Sequence, residues 1–202
     1  MKGLFDELKD TTYGDLIDDS ALRITARKDK KEGIEPYNTV FGINLYVTYK
    51  RETEEGIFVA TPSQVDSSQI LKAIRNTMAD AVIGNIEDCI EALMQEKDPK
   101  LKPVQEWQPK DNEVLFVMTT RDKVNGAGVI GCGTLLHKIH EKIGDYYLIP
   151  SSIHEVLIAR VKDLEGIDLK GITEMVRLIN QAEVLPEERL ADKAFMYDGV
   201  LH

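Results

Sequence analysis

The alternation of strand-type and helix-type segments in the second half of the chain limits its fold most strongly. Residues 113–120 form the apolar run of a buried strand. Apolar residues at helical spacing follow over 126–143, and two further strand patterns lie at 146–149 and 155–161. A second helical pattern covers 169–182, and its inward residues are Ile172, Met175, Val176 and Ile179. The predicted order is β-α-β-β-α. It packs helices on a sheet, in the α+β class.

The first half of the chain predicts a second, smaller mixed lobe. Residues 39–49 are rich in β-branched and aromatic side chains, and 57–60 are a suitable hairpin partner. Apolar residues repeat at helical spacing over 70–82, and they do so again over 86–94 after an interruption at Gly84-Asn85. We therefore expect a β-hairpin followed by helices.

A proline-rich segment separates the two predicted lobes. Pro99, Pro103 and Pro109 stand among charged residues there, together with Trp107, the only tryptophan. We interpret Trp107 as an apolar plug between lobes. The predicted organisation is a polar N-terminal segment (1–38), an N-terminal lobe (39–96), a linker (97–110) and a C-terminal lobe with a docked tail (111–202).

Composition limits the classes of partner. The 202 residues carry a net charge of -10, which repels nucleic-acid backbones. The apolar runs are of strand length, far short of the ~20 residues that cross a bilayer. The first residues lack an apolar signal core, and two cysteines are too few for a disulfide framework. We expect a cytoplasmic protein with reduced thiols and with neither nucleic-acid nor membrane partners.

Three motifs suggest a ligand, and each has a structural interpretation that we prefer. Gly126, Gly128 and Gly131 match G-x-G-x-x-G, but residues 121–125 separate them from the strand, so we expect close packing on the sheet and no cofactor. His137 and His140 lie off the apolar stripe of their helix and complete no H-E-x-x-H pattern, so with His154 we expect no metal site. Both cysteines, Cys89 and Cys132, lie on inward stripes and are expected in the core.

The densest group of polar side chains lies between two strand-like runs, at Ser151, Ser152, His154 and Glu155. If a strand begins at 153, Ser152 and His154 share a face, which is the minimum for an activated hydroxyl. The spacing from Ser152 to Glu155 also matches a capping box, in which the polar groups bond one another within a turn. We favour the turn and keep catalysis as the alternative.

Several of these segments together resemble a known family. The resemblance is carried by 114–120, Asn125-Gly126-Ala127, the stretch 148–157, Met175-Val176-x-x-Ile179-Asn180 and a closing Glu188-x-Leu190-Ala191-Asp192-x-Ala194-Phe195-x-Tyr197-Asp198. They are similar to a bacterial family of unknown function, numbered 5688, with an L-P-S-S-I-H-E-V motif. That family has no known activity, so the resemblance implies a fold and a lineage.

Two functions follow as hypotheses. The favoured one is a non-enzymatic binding or regulatory protein with a peptide or protein partner beside residues 150–155. The alternative is a hydrolase-like enzyme with Ser152 as nucleophile and His154 as base. The enzyme needs His154 in an open cleft within hydrogen-bond reach of a serine, whereas the binding protein tolerates an imidazole bonded to backbone.

Overall fold

The computed structural model describes residues 18–53, 56–200 and 202. Over these residues the chain folds into two antiparallel sheets with helices, which confirms the α+β class. The helices of this part of the chain are α1 (Ser67–Asp80), α2 (Ile86–Met94), α3 (Gly133–Ile143) and α4 (Leu169–Glu183). Its strands are β1 (Leu22–Arg27), β2 (Asn38–Val40), β3 (Ile43–Thr53), β4 (Gly56–Ala60), β5 (Ala81–Asn85), β6 (Lys102–Pro103), β7 (Leu115–Thr120), β8 (Tyr146–Ile149), β9 (Val156–Arg160) and β10 (Phe195–Tyr197).

The smaller sheet is built around β3, which pairs with β1, β2 and β4. The predicted hairpin is confirmed, since β3 and β4 pair antiparallel with Tyr49 opposite Ala60. β1 falls in the segment predicted as polar, 1–38, whose residues 1–17 lie outside the described ranges. Helix α1 packs on β1, and the Thr77 hydroxyl of that helix accepts the N–H of Ile24 at 2.8 Å.

The larger sheet has the strand order β10-β8-β9-β7-β5-β6, and β5 corrects the sequence prediction. Ala81 and Val82 were expected in a helix, but they open a strand that pairs with β7. Periodicity alone does not tell whether so short an apolar run is a helix or a strand. Both faces of this run are buried, which favours the strand. The sheet joins strands from either side of residues 97–110, and β6 belongs to that segment.

The segment after β7 forms a 3-10 helix at Gly126–Gly131 and then α3, whereas one helix was predicted over 126–143. Two glycines of the 3-10 helix pack closely against neighbouring parts of the chain. A Cβ atom on Gly128 would stand 1.9 Å from the carbonyl oxygen of Ile24, and one on Gly126 would stand 2.2 Å from Thr119 Oγ1. The space that a pyrophosphate needs at a glycine-rich turn is thus filled by β1 and β7.

Each face of the larger sheet buries a separate cluster. One face contributes Ile83, Phe116 and Met118 to the main core, which also holds residues of the smaller sheet and of α3. The rings of Trp107 and Phe116 pack edge-on in this core, with their centroids 5.0 Å apart. The opposite face, which we call the helix face, buries Tyr147, Ile149 and Ala159 beneath Ile172 and Val176 of α4.

Candidate functional site

The polar stretch 150–155 joins β8 to β9, and one side of its backbone is paired with the chain after α4. The N–H of Ile153 donates to the carbonyl of Glu188 at 2.8 Å, and the N–H of Leu190 donates to that of Ser151 at 3.1 Å. These bonds form an irregular antiparallel ladder that includes the bridge between Ser152 and Arg189.

The other side of the same backbone is bonded to the segment after β7. The carbonyl of Ile153 accepts the N–H of Ala127 at 3.1 Å, and the carbonyl of His154 accepts the Thr119 hydroxyl at 2.7 Å. A peptide that binds by strand addition needs free backbone groups at a sheet edge. At Ile153 those groups are already bonded on both sides.

The His154 imidazole lies between two partners from distant parts of the chain. Its Nδ1 accepts the backbone N–H of Asn125 at 3.3 Å, and its Nε2 stands 3.4 Å from Glu188 Oε1. A ring nitrogen that accepts a hydrogen bond carries no proton, so the ring proton lies on Nε2 and points at the carboxylate. The His154 side chain is 31% exposed.

The hydroxyl of Ser152 is buried and bonds within the turn. Its Oγ accepts the N–H of His154 at 3.0 Å, two residues on, which is the bond of a serine turn. A capping box would bond the third residue on. Burial raises the pKa of Glu155, with a smaller contribution in the same direction from Glu188, while His154 and Ser152 act to lower it.

The candidate residues are therefore brought together, but not in the order that nucleophilic catalysis requires. In an activated serine the hydroxyl donates to an imidazole nitrogen. In this turn the Ser152 hydroxyl accepts the N–H of His154, and the two imidazole nitrogens face Asn125 and Glu188. Ser151 contributes its backbone carbonyl to the ladder.

Residue-by-residue reasoning missed Asn125, Glu188 and Thr119 as members of this cluster. Asn125 has a left-handed backbone with φ of 51°, and its side-chain Oδ1 is buried without a hydrogen-bond partner among the described residues. Asn125, His154 and Glu188 stand in three separate segments of the family resemblance. Their presence in segments that carry the family resemblance was the sequence signal that these segments meet in the fold.

The remaining histidines and the cysteines lie elsewhere. His137 stands 3.8 Å from Glu141, and His140 stands 2.9 Å from Asp145, so each has its own acidic neighbour. Among the residues that the structure describes, His, Cys, Asp and Glu form no group of three or more that could hold a metal ion. Both cysteines are buried, as predicted, and burial raises the pKa of Cys132 to about 12.

A second candidate surface lies on the helix face. Large apolar side chains are exposed on α4, where Leu178 is 65% exposed, and on α2, where Met94 is 82% exposed. Met175 and Ile179 were expected to face inward, but they are exposed as well, because the sheet covers only the Ile172 and Val176 side of α4. The exposed large apolar residues of these two helices are Leu169, in the first turn of α4, and a group of six: Ile90, Leu93, Met94, Met175, Leu178 and Ile179.

Both helices stand on the same face of the sheet. Ile83 points into the main core, so its neighbour Gly84 faces the opposite side. A Cβ on Gly84 would lie 3.8 Å from the sulfur of Cys89, which places α2 over β5 on the helix face. Helix α4 covers β8 and β9 on that face. Strand β7 lies between them, with Val117 and its cross-strand partner Leu157 partly exposed.

The exposed flank of α4 points toward α2. On its other flank Thr173 accepts the N–H of Ala194, and Asn180 donates to the carbonyl of Ala191, so that flank faces β10. Met175 and Ile179 lie on the opposite flank, and Leu178 lies beside Met175, nearer the outer surface of the helix. We call the exposed apolar surface of the two helices, together with the strand residues between them, the helix-face groove. It comprises Val117 and Leu157, which lie between the helices, and the six exposed apolar residues of α2 and α4.

The helices of the described ranges include none with the length and apolarity needed to cross a membrane. A family model described as a family of unknown function (DUF5688) matches residues 62–199, which is more than half of the chain. The chain belongs to that family. No curated protein and no solved structure matches the chain.

Proposed function

We propose that this DUF5688 protein is a non-enzymatic binding protein that holds a protein partner in the helix-face groove. The observation that carries the proposal is the cluster of six exposed apolar side chains on two helices of one face. Single exposed apolar residues are common on protein surfaces, but a contiguous group of them is typical of an interaction site.

The hydrogen bonds of the polar stretch support the same proposal. A hydrolase would need the Ser152 hydroxyl directed at an imidazole nitrogen, whereas that hydroxyl accepts the His154 amide N–H and the two ring nitrogens face Asn125 and Glu188. In our proposal Ser152, His154 and Glu155 hold together three segments of the chain. The proposed partner site is therefore the helix-face groove. It is not the surface beside residues 150–155, where the sequence suggested it.

The test compares two substitutions that add the same charge to α4. Leu178→Glu places a carboxylate in the groove wall, and Gln181→Glu places one on an exposed position away from it. Proteins cross-linked to the wild-type chain in an extract of its source organism would be identified, purified and titrated by calorimetry. We expect one of them to bind the wild type and Gln181→Glu equally, and to lose binding to Leu178→Glu.

An activity-based fluorophosphonate provides the opposing test. Covalent labelling of the native chain that disappears in Ser152→Ala, together with ester turnover that disappears in the same variant, would overturn the proposal in favour of the hydrolase. Absence of labelling with retained partner binding supports it.

A further inference from the structure

We infer that the occupant of the helix-face groove is a basic amphipathic helix of another protein. The inference rests on the proposed binding function and specifies the chemistry of the partner. It follows from the charges along the groove, from its shape, and from the poor fit of the other available occupants.

The charge on the α2 wall has one sign. Glu87, Asp88 and Glu91 are exposed on α2, and Ile86–Met94 contains no lysine or arginine. A basic residue near this wall, Lys123, is already paired with Asp98 at 3.0 Å. The α2 wall therefore presents apolar side chains beside acidic ones, and a partner with lysines or arginines flanking an apolar stripe complements both.

The α4 wall adds little positive charge near the groove. Arg177 is paired with Glu174 at 2.6 Å on the exposed side of the helix. Lys170 lies in the first turn, and Glu183 is the last residue of α4. The charges along α4 thus largely balance, so the sign of the groove is set by α2 and by the net charge of -10 on the chain.

The shape of the groove suits a helix. Met175, Leu178 and Ile179 stand at i, i+3 and i+4, and they form one continuous ridge along α4. A helix that lies in a groove presents its own apolar residues at the same spacing. Met94 and Met175 contribute unbranched side chains that adjust to a range of helical partners. A strand would find no free edge here, because the sheet supplies only its face.

Two other occupants fit the charges poorly. A second copy of the chain carries the same net charge of -10, so like charges would oppose association. Residues 1–17 of the chain itself contain four acids and two lysines, so they offer no basic complement. A basic helix of another protein satisfies both the apolar ridge and the acidic wall.

The experiment uses the full chain and a fluorescein-labelled probe peptide with leucines at i, i+3, i+4 and i+7 and lysines elsewhere. Fluorescence anisotropy measures its affinity for the wild type, for Leu178→Glu, for Leu178→Ala and for the control Gln181→Glu. We expect about tenfold weaker binding by Leu178→Glu and a smaller loss with Leu178→Ala, as for other anchor residues of interfaces, and no change with Gln181→Glu. The double variant Glu87→Gln, Glu91→Gln should bind more weakly and show a shallower salt dependence.

Each alternative has its own outcome. Equal binding of a scrambled lysine-leucine peptide would overturn the inference, since charge alone would then explain affinity. Equal binding of a glutamate version of the probe would overturn the basic partner and leave the proposed binding function standing. Sedimentation that finds a wild-type dimer, lost in Leu178→Glu, would overturn both, because a second copy would cover the groove. Circular dichroism of each variant separates lost binding from lost folding.

Discussion

The Nδ1 atom of His154 accepts the backbone N–H of Asn125 at 3.3 Å. This bond joins the turn before β9 to the residue that precedes the 3-10 helix, while Nε2 of the same ring faces Glu188 from the segment after α4. Three segments that are distant in sequence therefore meet at one imidazole. The ring therefore holds these three segments together, and neither of its nitrogens is directed at a serine.

The serine turn beside this ring carries the first prediction. Ser152→Ala removes the acceptor for the His154 N–H in a buried turn, so it should lower the free energy of unfolding by about 1–3 kcal/mol. Ser151→Ala is the matched control, because Ser151 contributes a backbone carbonyl that alanine keeps. Urea denaturation of both variants measures the difference. Equal stability of the two would contradict the structural role of the Ser152 hydroxyl.

The sequence predicts the strongly patterned elements well. The helix at Leu169–Glu183 and the strands at Tyr146–Ile149 and Val156–Arg160 agree with their apolar patterns. Strand β5 was missed because it lies directly between two helices, so its apolar residues continue a helical repeat until Gly84. Pairing with β7, a tertiary contact, decides its conformation.

The candidate site was predictable only in part, for a similar reason. Ser152, His154 and Glu155 stand together in sequence, whereas Asn125 and Glu188 reach the imidazole through the fold. Met175 and Ile179 of α4 were predicted to face inward but are exposed, because helical periodicity identifies an apolar stripe without telling how much of it a sheet will cover.

Close packing of the glycine-rich segment gives the second prediction. Gly128→Ala should destabilise the fold by about 1–3 kcal/mol, since its Cβ would stand 1.9 Å from the carbonyl oxygen of Ile24 and backbone must move. Gly133→Ala is the control in the following helix, where a Cβ meets nothing within 4 Å. It should be neutral or add up to about 1 kcal/mol by restricting the unfolded chain. Thermal denaturation compares them, and a tolerated Gly128→Ala would contradict the packing.

The buried thiols give the third prediction. Cys132 is fully buried with its pKa raised to about 12, and burial, followed by the charge of Asp88, raises the pKa of Cys89. Thiolate is the reactive form, so native protein near pH 8 should react slowly with a disulfide reagent, and the unfolded chain should expose two fast thiols. Cys89 should be the faster of the native pair. A rapid stoichiometric reaction of Cys132 in the native protein would be inconsistent with its burial.

The partly buried carboxyl of Glu155 gives the last prediction, a pH dependence of stability. Burial raises its pKa above the ordinary value of 4.5, so between these two values the native protein binds more protons than the unfolded chain does. Stability contributed by this group is therefore lost as the pH rises from 4.5 through the raised pKa, and the loss is complete above it.

Glu155→Gln removes that titration and keeps an oxygen that can accept from Ser152. The variant and the wild type should therefore diverge in the same window: the free energy of unfolding of Glu155→Gln relative to wild type should rise from pH 4.5 upward and level off above the raised pKa of Glu155. Denaturant titrations across this range measure the difference, with exposed Glu183→Gln as the control that should show no such trend. A difference that falls with pH would mean that His154 and Ser152 stabilise the Glu155 anion more than burial opposes it, and a constant difference would mean that the two effects cancel.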